Sequence, residues 1–180
     1  MDIDKKVWEI LFSEEEILNR VDELGKQISN DYRDKNLYIV SLLRGSFVFT
    51  ADLVRKIDVP VKIDFIITSS YGYELQTSGA VKIVNDIEEE DLMGYHVLIV
   101  DDISDSGLTM EHVMKHLKTK NPSSVKSCVL LDKPERRQLN FIPDYIGFTI
   151  PNKFVVGYGL NYGDHYRNIP YVFAVTDEDR

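Results

Sequence analysis

Residues 97 to 109 read Val97-Leu98-Ile99-Val100-Asp101-Asp102-Ile103-Ser104-Asp105-Ser106-Gly107-Leu108-Thr109, and the rest of the chain is most easily read outward from them. Val97 to Val100 has the length and β-branched content of a buried strand. Asp101 and Asp102 sit where that strand is expected to leave its sheet, and Ser106-Gly107-Leu108-Thr109 opens a helix. A strand, a polar turn and a helix N-terminus together form an anion site, because unpaired amides converge there with the positive end of the helix dipole. Alone, Asp101, Asp102 and Asp105 read as a solvated acidic turn. Beside a phosphate-binding helix start they repel the anion unless a cation or sugar hydroxyls offset the charge. The pattern therefore points to a metal-bound sugar phosphate. The Ser106 and Thr109 hydroxyls and the amides from Ser106 through Gly107 and Leu108 to Thr109 take the phosphate. Asp101 and Asp102 suit sugar hydroxyls or a hard cation such as Mg²⁺, and Asp105 stands one step nearer the ligand.

Upstream, Ser13-Glu14-Glu15-Glu16 is a capping-box pattern, and Ile17, Val21, Leu24 and Ile28 recur at helical spacing, which predicts a helix over 14–30. Leu37 to Leu43 reads as a strand ending in Arg44-Gly45-Ser46. A helix over 47–57 follows, with Phe47, Ala51, Val54 and Val48 expected to face inward. Asp58-Val59-Pro60 breaks it, and Val61, Ile63, Phe65 and Ile67 then alternate along a strand whose Lys62 and Asp64 face away. Residues 69–79, which include Ser70 and Tyr71, have no sustained period and read as a long loop, either a lid or a surface loop without a role. Val81 to Val84 is a further strand.

Downstream, the helix after Thr109 is expected to bury Met110, Val113, Met114 and Leu117, ahead of a strand from Val125 to Leu131. His112 and His116, four apart, could hold a metal, but with no third ligand they read as a solvated face. Lys133 to Arg137 reads as a basic solvated turn, and Tyr145 to Ile150, Phe154 to Tyr158 and Tyr171 to Val175 as strands. Alternation of strands and helices over the first 131 residues predicts an α/β fold, a parallel-sheet core flanked by helices, with the strand-rich tail as a smaller subdomain over it.

Composition narrows the function classes. One domain is expected from 180 residues at 43% hydrophobic content without a low-complexity linker. Apolar runs fall well short of the roughly 20 residues of a membrane span, and the N-terminus lacks a signal-peptide pattern, so a soluble cytoplasmic protein is expected. The net charge of −9 argues against non-specific nucleic-acid binding. Arg44, Lys133, Arg136, Arg137, Lys153 and Arg167 are the cations that could serve a phosphorylated substrate locally. The single cysteine, Cys128, lies in an apolar run and reads as a core thiol.

The stretch 97–109 closely resembles the phosphoribosyl-pyrophosphate signature of type I phosphoribosyltransferases. The hypoxanthine-guanine branch of that family is suggested by Leu42-Leu43-Arg44-Gly45-Ser46, Leu130-Leu131-Asp132-Lys133, Ile150-Pro151-Asn152-Lys153-Phe154-Val155-Val156-Gly157-Tyr158-Gly159-Leu160 and Tyr166-Arg167. The resemblance implies the type I phosphoribosyltransferase fold in one domain, with a core over about 35–132 and a hood from about 1–12 and 133–180. It also implies transfer of a 5-phosphoribosyl group from phosphoribosyl pyrophosphate to N9 of a 6-oxopurine, with Mg²⁺ as cofactor and a homodimer or homotetramer as the assembly. By the same resemblance, Asp105 is the proton-transfer residue at purine N7, Asp101 and Asp102 hold ribose and metal, and Lys133 donates to purine O6. Phe154 stacks on the base, and the Val155 backbone meets its edge. Leu43, Arg44, Gly45, Ser46 and Arg167 bind pyrophosphate, the Leu43–Arg44 peptide is cis, and the loop carrying Ser70 and Tyr71 closes as a lid. Asn161 stands where the family usually has a metal-binding aspartate, which predicts a raised magnesium requirement. On their own, Phe154 and Val155 read as ordinary core packing.

Two rival readings fit the sequence less well. A regulator on the same fold that binds nucleic acid is disfavoured by a pI near 4.9 and by the presence of both Asp105 and Lys133. Against a sibling transferase using xanthine, orotate or another acceptor, Lys133 and Phe154-Val155 favour 6-oxopurines and leave the order among hypoxanthine, guanine and xanthine open.

Overall fold

The computed structural model describes residues 8–70 and 81–175. In chain order these form β1 (Trp8–Phe12), α1 (Glu14–Asp31), β2 (Asn36–Leu43), α2 (Phe47–Val54), β3 (Val61–Ser70), β4 (Val81–Asn85), β5 (Tyr95–Ser104), α3 (Leu108–Lys118), β6 (Ser124–Asp132), β7 (Tyr145–Thr149), β8 (Phe154–Val156) and β9 (Val172–Val175). The larger sheet runs β4-β3-β2-β5-β6-β7, and the smaller one β1-β9-β8. In the larger sheet β4 is the antiparallel edge and the other pairings are parallel. β7 therefore belongs to the main sheet, although it lies in the chain tail.

β5 sits centrally because it can be buried on both faces. Val97, Leu98, Ile99 and Val100 are all fully buried, as in a parallel sheet covered by helices on either side. Leu98 and Val100 join the core beneath α1 and α2. Val97 and Ile99 join the core beneath α3, with Met110, Val113 and Leu117. α1 starts at the expected capping box. The Ser13 hydroxyl accepts from the Glu16 amide, and the Glu16 carboxylate accepts from the Ser13 amide at 2.8 Å, an arrangement worth about 1 kcal/mol. Ile17, Val21, Leu24 and Ile28 face the core as their spacing predicts.

Several expectations are corrected. β5 does not end at Asp101 but stays paired with β6 through Ser104, so both acids lie within the strand. α2 turns Phe49, Thr50 and Leu53 inward and leaves Phe47 and Ala51 exposed, while Val48 and Val54 pack partly buried against the core as expected. The reason is polar: the Ser41 hydroxyl on β2 meets the Ser46 and Thr50 hydroxyls at 2.7 and 2.8 Å, which draws the Thr50 side of an otherwise apolar helix to the sheet. On β3, Ile66 is buried while Ile63 and Phe65 remain largely exposed, so its inward face is not the one that alternation suggested. Asp64 accepts from the Tyr38 hydroxyl at 2.8 Å on the other face. Ser69 and Ser70 continue β3 instead of opening a loop, and Tyr71 with the remainder of the expected lid to residue 79 lies outside the described residues.

His116 does not point idly into solvent, since its Nε2 lies 2.7 Å from Asp86, which Lys120 also approaches at 3.2 Å. No cluster of three metal-type ligands occurs among the described residues. No described helix is long and apolar enough to cross a membrane. Cys128 is buried in the core, and the cost of desolvating a thiolate there raises its pKa far above the ordinary value. The folded protein is accordingly expected to resist a thiol-specific reagent at mildly alkaline pH and to take up one equivalent in denaturant. Rapid labelling of the native protein would contradict this packing.

Candidate active site

The carboxyl ends of β2, β5 and β6 open on the same side of the parallel sheet, and the site is built from the segments that leave them. The β5–α3 loop encloses a cavity of about 250 Å³ lined by residues 101–107 with Thr109 and Met110. Gly107 caps α3 with φ +83°, a left-handed conformation that a residue with a side chain adopts only at a cost, and it turns the chain so that the helix amides face this cavity. The Ser106 hydroxyl accepts from the Leu108 amide at 3.3 Å. Oriented amides and a dipole end, with nearby hydroxyls, suit a phosphate.

Asp101 and Asp102 stand side by side at the floor of this cavity. Loss of solvation and then the neighbouring Asp102 carboxylate push Asp101 well above the usual carboxylate range. Burial also raises Asp102, while the hydrogen bond with Asp101 and the Arg167 guanidinium act in the opposite sense. Gly45 is pressed against this acid: a Cβ there would lie 1.7 Å from Asp102 Oδ2. The Leu43–Arg44 peptide is cis, as the resemblance implied. Behind the loop, Gly159 abuts the Gly45 carbonyl, which a Cβ would approach to 2.1 Å, and Arg167 Nη1 donates to Gly159 O at 2.6 Å. Residues 43–46 are thus held between Asp102 on one side and the 159–167 hairpin on the other. Ser46 is the exception among the expected pyrophosphate ligands, because its hydroxyl is buried and donates to Leu42 O at 2.6 Å. Its hydroxyl is therefore not presented to a ligand.

A second cavity of about 710 Å³ is lined by Ile103, Asp105, Lys133, Arg136, residues 152–155, Leu160, Asn161 and Gly163. Lys133 was expected on a solvated turn but is buried, because its amide donates to Ser104 O at 2.9 Å and draws the end of β6 against the end of β5. Phe154, on β8, is partly exposed towards this cavity and meets Tyr162 edge-on with ring centres 5.8 Å apart, while Val155 is buried. Asn161 lines this second cavity and not the one floored by Asp101 and Asp102, so the three expected metal residues do not share one cavity wall. Its amide nitrogen donates to Gly163 O.

Sequence reading missed two ion pairs. Arg137 closes on Asp132, both nearly buried, immediately beside Lys133. Arg136 lies 3.4 Å from Asp105. These two arginines were candidates for phosphate binding, and the fold turns both onto acids instead. Their spacing from Asp132 offered only a weak signal, whereas the glycines of Gly157-Tyr158-Gly159 carried a readable one, since both have positive φ and tight surroundings.

Comparison with known proteins agrees with this geometry. The family model for a phosphoribosyl transferase domain matches residues 7–163. The chain is 46% identical over 173 residues to the hypoxanthine-guanine phosphoribosyltransferase of Aquifex aeolicus, covering 96% of this chain and 97% of that one. It is also 46% identical to the hypoxanthine phosphoribosyltransferase of Escherichia coli, covering 95% and 97%. Among solved structures, a Staphylococcus aureus hypoxanthine phosphoribosyltransferase superimposes with a TM-score of 0.89 at 39% identity, covering 95% of this chain and 92% of that one. A Bacillus anthracis hypoxanthine-guanine phosphoribosyltransferase does so with a TM-score of 0.88 at 43% identity, covering 93% and 98%. The chain belongs to the phosphoribosyl transferase family, within its hypoxanthine and hypoxanthine-guanine phosphoribosyltransferases.

Proposed function

We propose that the protein is a purine salvage enzyme that transfers the 5-phosphoribosyl group from phosphoribosyl pyrophosphate to N9 of hypoxanthine or guanine, giving IMP or GMP and pyrophosphate. The observation that carries this reading is the position of Asp105, which lines both the phosphate-type cavity and the cavity of Lys133 and Phe154. One carboxylate can therefore reach a base and the sugar phosphate it is to join.

In this reading the α3 amides hold the 5-phosphate, and Asp101 with Asp102 face the ribose hydroxyls. The amides of residues 43–46 and Arg167 receive the pyrophosphate, which departs with the electron pair of its bond to C1′ while purine N9 supplies the pair for the new bond. Asp105 accepts the proton from N7. Lys133 offers donors and no acceptor, so it matches a 6-oxo group and rejects the 6-amino group of adenine. Phe154 stacks on the base and the Val155 backbone meets its edge. The segment with Ser70 and Tyr71 closes over the site and excludes water.

Two adjacent carboxyls disfavoured as anions by their own burial fit a hard divalent cation, and Mg²⁺ commonly binds through one or two carboxylates plus substrate phosphates. When bound, Mg²⁺ neutralises charge on the departing pyrophosphate. Asn161 lines the other cavity and would offer an uncharged amide oxygen, where the family usually has a carboxylate, to a second Mg²⁺ on the pyrophosphate side. Cytoplasmic location and a homodimeric or homotetrameric assembly complete the reading on the family resemblance, with the small sheet forming the hood of a single domain.

Mixing the protein with phosphoribosyl pyrophosphate and Mg²⁺ should give nucleotide from hypoxanthine or guanine and none from adenine; absence of turnover with every purine would sink the assignment. Asp105→Asn is expected to lower kcat by about 10²- to 10⁴-fold with a small change in KM, and a near-normal rate would remove its role. Asn161→Asp should reach half-maximal rate at a lower Mg²⁺ concentration, and an unchanged or higher requirement would count against a metal-side role for Asn161.

A further inference from the structure

The segment after β6 runs alongside the β5–α3 loop and meets it at successive points. The Lys133 amide donates to Ser104 O at 2.9 Å, Arg136 pairs with Asp105, and the Gln138 amide donates to Ser106 O at 3.0 Å. The Phe141 ring lies against Gly107, 3.7 Å from where a Cβ would stand. Three of the four contacts involve the partner's backbone, so they fix the spacing of the two segments. The fourth is between side chains and falls on the carboxylate at the junction of the two cavities.

That carboxylate is asymmetric. Asp105 Oδ1 is buried and makes no hydrogen bond, yet the side chain as a whole is 40% exposed, so the part facing the cavities lies on the Oδ2 side. The group nearest to answer Oδ1 is the Arg136 guanidinium, whose Nε stands 3.4 Å away as an ion pair not yet in hydrogen-bond geometry. An enclosed carboxylate oxygen without a donor is unfavourable, and a small rotation of a half-exposed arginine supplies one. The other cation beside this segment, Arg137, is taken up by Asp132, and Lys153 by Glu9. Lys133 is buried at the start of the same segment.

We propose that Arg136 is a positioning residue for the transfer reaction: it grips Asp105 through Oδ1 and thereby holds Oδ2 towards the purine. The proposal rests on the reading of Asp105 as the proton acceptor. Without the guanidinium the carboxylate is free to rotate about χ2 and presents the acceptor in the productive direction for only part of the time. The loss then falls on turnover and not on the binding of either substrate.

A double-mutant cycle tests this, with kcat and the KM for hypoxanthine and for phosphoribosyl pyrophosphate measured separately. Arg136→Ala is expected to lower kcat about tenfold while each KM stays within about twofold, and Arg136→Lys to restore most of the rate. In an Asp105→Asn background, Arg136→Ala should cost little more, because the group it orients is already gone. Thermal unfolding of each variant serves as the folding control. A raised hypoxanthine KM at unchanged kcat would make Arg136 a direct base ligand and overturn the proposal, as would full additivity in the double variant or an unaltered rate in Arg136→Ala. If Asp105→Asn itself retained a near-normal rate, the reading of Asp105 would fail and this inference with it. An impaired Asp105→Asn with additive effects would overturn this inference alone.

Discussion

Two carboxyl groups at consecutive positions within a buried parallel strand constrain everything around them. Taking Asp101 and Asp102 out of water disfavours their ionised forms, and their adjacency adds repulsion. What surrounds them is what such a pair requires: the cationic influence of Arg167, a glycine close enough that a methyl group would strike Asp102, and an open cavity on the third side. The pair is therefore a poor contributor to stability, and in the proposed function it is what receives a cation and sugar hydroxyls. Gly45 and Gly159 follow from the same constraint, since backbone can approach a carboxylate, and another backbone, only where no side chain intervenes.

The second organising contact is between the ends of β5 and β6. Strand pairing continues to Ser104 and Asp132, and the chain segments beyond them stay in step. This places a cavity suited to phosphate and a cavity with an aromatic wall and a buried lysine on either side of Asp105. The small sheet contributes the aromatic wall through β8, which is paired with β9 and not with the main sheet. The two cavities share Ile103 and Asp105 and are otherwise lined by different residues.

Much of this was legible from residue patterns. The capping box at Ser13 and the helical spacing of Ile17 to Ile28 are local signals, and both hold in the fold. The continuous apolar run of β5 announced burial on both faces. The orientation of α2 was not legible, because its apolar residues surround the helix axis and periodicity assigns no face. Hydroxyl contacts from Ser41 on another element made the choice. The inward face of β3 was not legible either: Ile63 and Phe65 alternate with Lys62 and Asp64, yet both stay largely exposed while Ile66 is buried. Arg136 and Arg137 looked like phosphate ligands because a charge run carries no information about its partners.

By itself the sequence determined that the chain is an α/β protein with an anion-type loop between Val97 and Thr109, which depends on local spacing and residue chemistry; the phosphoribosyl signature and the residues proposed to meet a 6-oxopurine were legible only through the family resemblance. Only the tertiary structure decided that Asp101 and Asp102 remain within the strand, that Ser46 turns its hydroxyl inward, that Asn161 lines the cavity of Lys133 and Phe154, and that Arg136 pairs with Asp105. Each of these depends on which distant backbone or side chain comes within about 3 Å, where hydrogen bonds and ion pairs form, and that distance is set by packing between elements remote in the chain.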